Sequence, residues 1–139
     1  MKNSSKKIII ALDVMGGDNA PDSVLHGANA ALDRCSNVNF MLFGNAKKIT
    51  PIIDSLPNLK AVANVFHTDS HIYTDEKQSL ALRRGKDSSM RLAINAVHDG
   101  KADAVVSAGN TGALMAMSKL VLRPIPGIDR PAIASIFPT

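Results

Sequence analysis

KIIIALDVMGGDNAPDSVLHGANAALDRC, Lys7 to Cys35, decides the fold class. Lys7 to Asp13 is a β-rich run that is apolar on both faces, the composition of a strand buried in the middle of a parallel sheet. Val24, Leu25, Ala28, Ala31, Leu32 and Cys35 then recur at helical spacing, with Pro21 and Asp22 suited to open the first turn. Val38 to Gly44 repeats the first pattern. The unit is strand, helix, strand.

The same alternation continues outward. Residues 46 to 56 carry an amphipathic helix pattern through Ile49, Ile52, Ile53 and Leu56, and Pro51 inside it implies a late start. Lys60 to Phe66 reads as a strand, and a polar stretch from His67 to Lys86 interrupts the rhythm. Asp87 or Ser88 then caps a helix with the buried stripe Met90, Ala93, Ile94 and Val97, closed by Gly100 at C′. Ala102 to Ser107 reads as another central strand, and Leu114 to Leu122 is helical. RPIPGIDRP, Arg123 to Pro131, is a loop, and the apolar run that ends at Thr139 reads as a final strand with no helix after it. Alternating strands and helices imply parallel pairing through crossovers, hence an α/β three-layer sandwich with a mostly parallel sheet. Without the next crossover the chain is expected to be cut short.

Length and composition exclude several classes. At 139 residues, 45% apolar and 20% charged, the chain suits one globular core and neither disorder nor a collagen-like fibre. The longest apolar run, Ile8 to Leu12, is far too short for a transmembrane helix, and Asp13 stands where a signal-peptide cleavage site would be prepared. The single cysteine, Cys35, cannot form an internal disulfide, which fits a reducing cytoplasm. A formal charge of +4 favours an anionic partner, but one tyrosine and four phenylalanines leave little to stack on bases, so nucleic acid is not expected. A phosphate-bearing small molecule or an acidic protein suits the balance better.

Two glycine-bearing turns stand where strands give way to helices. Ser107-Ala108-Gly109-Asn110-Thr111-Gly112 precedes a helix whose free backbone N–H groups favour an anion. Its glycines allow close approach, and Ser107, Asn110 and Thr111 add side-chain donors suited to phosphate or an oxyanion. A purely structural reading is a tight turn with Thr111 as cap. Asp13-Val14-Met15-Gly16-Gly17-Asp18 occupies the equivalent position after the first strand, and the two turns are expected to face each other. Structurally, Asp13 would cap the turn and Asp18 the helix. Arg83, Arg84, Lys86 and Arg91 surround Ser88 and Ser89, a combination suited to phosphate and equally to a solvated face. His67, Asp69 and His71 alternate, but surface histidines in a polar loop are commoner than a metal site, and neither a metal nor a cofactor is expected. Met115 and Met117 read as core filler.

ALDVMGGDNAP (Ala11 to Pro21), LRRGKDSSM (Leu82 to Met90), SAGNTGALM (Ser107 to Met115) and GIDRPAIASIFPT (Gly127 to Thr139), in this order and spacing, resemble the phosphate acyltransferases of bacterial phospholipid synthesis, the PlsX family. The resemblance runs from about Ile8 to the last residue, and members of that family are more than twice as long. It therefore implies a polar tail over residues 1–7 and, over 8–139, the N-terminal part of an acyltransferase domain. The implied fold is that of the isocitrate and isopropylmalate dehydrogenase-like superfamily, which also holds phosphotransacetylases. The sequence departs from the family pattern at Gln78, where proline is common, and at Gly85, where a basic or polar residue is common.

The resemblance implies transfer of a fatty acyl group from acyl carrier protein to inorganic phosphate, in a cytoplasmic homodimer peripherally attached to the membrane. The acyl phosphate would serve a membrane glycerol-3-phosphate acyltransferase. Carried over by position, Ser107, Gly109, Asn110, Thr111 and Gly112 cradle phosphate or the acyl carbonyl oxygen. Asp13, Gly16, Gly17 and Asp18 shape the facing wall, Arg83 and Lys86 supply charge, and Ser88 and Ser89 belong to the basic loop. Of these, Asn110, Thr111 and Asp13 are the expected catalytic residues, and this segment alone is expected to be inactive. Two other readings are a coenzyme A-dependent phosphotransacylase and a phosphate-binding or dimer-forming module without activity.

Overall fold

A computed structural model of the chain describes residues 6–139. The first five residues of the expected polar tail lie outside that range. Ten elements follow in order: β1 (Ile8–Asp13), α1 (Asp22–Ala31), β2 (Val38–Gly44), α2 (Ala46–Asp54), α3 (Pro57–Lys60), β3 (Ala63–His67), α4 (Gln78–Arg84), α5 (Ser89–His98), β4 (Ala104–Ser107) and α6 (Thr111–Leu122). The four strands form one parallel sheet in the order β3-β2-β1-β4.

Strand alternation explains the layers. Leu12 on β1 packs with Leu25 of α1, Ile49 of α2 and Leu59 of α3 in one core, while Ala11 faces the opposite side with Ala93 and Ala96 of α5. A third cluster joins α4, α5 and α6 through Ala81, Met90, Ile94, Ala113 and Met117. The sheet is thus flanked by helices on both faces, the expected three-layer α/β arrangement. Phe43 and Phe66, paired across β2 and β3, stack with ring centroids 5.0 Å apart.

Several sequence expectations are corrected. Ala102–Ser107 read as a strand buried on both faces, but among the described residues β4 pairs only with β1, and its Val106 is 49% exposed. That side opens into an apolar groove of about 450 Å³ lined by Ile10, Leu12, Val24, Ala28 and Val106. Residues 131–139 form no strand and lie exposed, with Ile136 at 96%: strand composition without ladder partners does not make a strand. Helix α2 starts at Ala46 rather than late, because the Asn45 side chain accepts the Lys47 N–H while Pro51 stays on the exposed face. The polar stretch 67–86 contains α4, whose buried contribution is mainly Ala81, too small to show as an apolar stripe. The buried stripe of α5 includes Ala96, with Val97 only half-buried. Among the described residues no helix is long and apolar enough to cross a membrane.

Candidate functional site

The two glycine turns lie at the carboxyl edge of neighbouring strands because β1 pairs with β4 in a register that sets Asp13 beside Ser107. They touch. A Cβ on Gly16 would stand 2.6 Å from Asp13 Oδ2, 2.8 Å from Ser107 Oγ and 3.0 Å from Gly109 N, so only glycine permits this approach. Gly17 has φ +103°, the left-handed region, and packs against the Ala108 carbonyl.

Asp13 caps no turn. It is 2% exposed and accepts two hydroxyl hydrogen bonds, from Ser89 Oγ to Oδ1 at 2.6 Å and from Ser107 Oγ to Oδ2 at 2.7 Å. It thereby ties the ends of β1 and β4 to the start of α5. Ser107 Oγ in turn accepts the Gly109 N–H at 3.1 Å. The hydrogen bonds of Asp13, Ser107, Ser89 and the Gly109 amide are thus made to one another.

The cap of α6 is Asn110, not Thr111. Asn110 Oδ1 accepts the Ala113 N–H at 3.0 Å, while Nδ2 donates to the carbonyls of Glu76 at 2.8 Å and Tyr73 at 3.2 Å. All of its side-chain polarity is spent inside the protein. Thr111 differs: its hydroxyl is exposed and unbonded, and neither its N–H nor that of Gly112 reaches a protein acceptor among the described residues. Two free amides and a hydroxyl at a helix N-terminus are chemically suited to an anion.

Asp18 does not cap α1, whose N-cap is Pro21 without a side-chain bond; Asp18 Oδ1 accepts from Thr74 Oγ1 at 3.2 Å. Ser88 caps α5, accepting the Arg91 N–H and donating to the Gly85 carbonyl, and is fully buried. Arg83 and Lys86 are exposed at the α4–α5 junction, and no hydrogen bond or ion pair joins them to either glycine turn. His67 Nδ1 accepts the Ala46 N–H, with Nε2 3.4 Å from Asp69, whereas His71 packs on the Tyr73 ring. Sequence reasoning missed the 73–78 segment, which bonds to both glycine turns. Its polarity and the Gln78 departure were its only marks.

A family model described as "Fatty acid synthesis protein" matches residues 8–139. The chain belongs to this family. Curated relatives named phosphate acyltransferase include those of Rhodospirillum centenum, 58% identical over 135 residues, Afipia carboxidovorans, 55% over 136, and Paramagnetospirillum magneticum, 49% over 135. Each alignment covers 97% of this chain and 38% of the relative, so the chain spans well under half the length of these proteins. The matched range carries both glycine turns, the α6 N-terminus and the basic junction.

Proposed function

We propose that this segment supplies the phosphate-binding wall of an acyltransferase that moves a fatty acyl group from acyl carrier protein to inorganic phosphate. The carrying observation is the uncommitted Thr111 and Gly112 donor set beside the Gly16–Gly109 contact. A phosphate oxygen attacks the thioester carbonyl carbon, a tetrahedral oxyanion forms, the carbon–sulfur bond breaks, and the thiolate leaves to take up a proton. No covalent enzyme intermediate is needed, so the protein's tasks are to position a dianion and to stabilise the oxyanion. Thr111 and the Thr111 and Gly112 amides bind the anion. Asp13 and Asn110 hold the two walls, and Arg83 and Lys86 raise the local anion concentration through their exposed charge.

The names of the relatives support phosphate and an acyl group as reactants. The same proposal includes acyl carrier protein as donor, the isocitrate dehydrogenase-like fold name, a homodimer, peripheral membrane attachment and delivery to a membrane glycerol-3-phosphate acyltransferase. Calorimetry with inorganic phosphate tests the wall directly: the 139-residue chain binds, and Asn110→Ala and Arg83→Ala both weaken binding. Unchanged affinity in both variants removes these residues from the site. Hydroxylamine trapping of acyl phosphate, with acyl carrier protein and coenzyme A thioesters compared in a family-length protein, identifies the donor. The 139-residue chain alone is expected to give no acyl phosphate.

A further inference from the structure

Residues 73–78 bridge the two glycine turns through hydrogen bonds, and little apolar burial holds them there. Ile72 is buried at one end and Ala81 beyond the other, but Tyr73, Thr74, Asp75, Lys77 and Gln78 are exposed. Polar contacts fix the crossing. Thr74 Oγ1 donates to Asp18 on the first turn, and Asn110 on the second donates to the Tyr73 and Glu76 carbonyls. Within the segment the Tyr73 N–H donates to Glu76 Oε2.

This strap brings Gln78 over Gly112. A Cβ on Gly112 would fall 2.3 Å from Gln78 Nε2 and 3.0 Å from both Cδ and Cγ, so the glutamine side chain lies against the backbone that carries a free donor. We infer that the 73–78 strap, through Gln78, sets the size of anion the Thr111–Gly112 site accepts, admitting free phosphate and rejecting phosphate monoesters. This rests on the phosphate-wall reading above. A free phosphate offers oxygen on every side and carries no substituent to accommodate; an ester's substituent would meet the Gln78 side chain beside Gly112 or force the strap from its bonds. Rejection by a wall needs no attractive contact to the correct ligand.

The test is calorimetry of the 139-residue chain with inorganic phosphate and with phenyl phosphate. The native chain is expected to prefer inorganic phosphate by roughly tenfold or more, and Gln78→Ala to bring the two within about threefold. Thr74→Val, which cuts the Asp18 contact and leaves Gln78 in place, is expected to narrow the gap in the same direction. An unchanged preference in both variants, or equal binding of the two anions by the native chain, overturns the strap inference and leaves the phosphate wall standing. Failure of the native chain to bind either anion overturns the wall, and the inference with it.

Discussion

Ser107 Oγ donates to Asp13 Oδ2 at 2.7 Å and accepts the Gly109 N–H, so one hydroxyl couples a buried carboxylate to the backbone of the opposite glycine turn. Replacing Asp13 by Ala strands this hydroxyl and that of Ser89. The fully buried Ser89 donor, once orphaned, costs about 1 to 3 kcal/mol, and the half-buried Ser107 donor less. Asp13→Ala is therefore expected to lower the urea midpoint markedly, whereas Asp13→Asn, which keeps one acceptor oxygen, lowers it less. Equal midpoints for the native chain and Asp13→Ala would contradict the positioning role.

Thr111 and Asn110 adjoin in sequence and are expected to fail differently. Thr111→Val removes a free hydroxyl, so phosphate affinity falls roughly tenfold, the value of one hydrogen bond to a charged group, while the melting temperature holds. Asn110→Ala removes a helix cap worth about 1 kcal/mol and the anchors of the 73–78 strap, so both melting temperature and affinity fall. Amide hydrogen exchange over 73–77 accelerates in Asn110→Ala alone.

Gly16 and Gly27 are expected to respond to alanine with opposite signs. A methyl on Gly16 collides with Asp13, Ser107 and the Gly109 amide, so Gly16→Ala separates the turns and weakens phosphate binding. Gly27 lies inside α1 with nothing within 4 Å of a new Cβ. Gly27→Ala should raise stability by about 0.5 to 1 kcal/mol, read as a higher melting temperature with unchanged phosphate affinity.

Gly85 is a packing requirement. A Cβ there would stand 2.5 Å from the Ala81 carbonyl oxygen, 2.6 Å from Ile72 Cδ1 and 2.9 Å from Met117 Cε. Gly85→Ala is expected to destabilise by about 1 to 3 kcal/mol, the usual cost of overfilling a closed core, measured by chemical denaturation. A larger side chain therefore does not fit beside Ile72 and Met117 as they stand in this chain.

Periodicity was enough to locate β1, α1, β2 and α5, because a side chain's inward or outward direction follows from its place in a two- or 3.6-residue repeat. It also found both glycine turns, since glycine pairs after buried strands are local signals. It was insufficient for α4, whose contact with the core is made largely by one alanine, and for residues 131–139, where apolar composition does not create ladder partners.

What the sequence determined by itself is the layered α/β plan, the two turns at its sheet edge and the family, all carried by local pattern and motif order. Tertiary structure alone decided which polar groups remain available to a ligand. Asp13 meets Ser89 from 76 residues away and Ser107 from 94, and Asn110 meets Glu76 from 34, so their hydrogen-bonding capacity is consumed by partners that no local window contains. Thr111 stays free because the neighbouring Asn110 takes the cap, and a buried polar group must find a partner wherever the fold brings one.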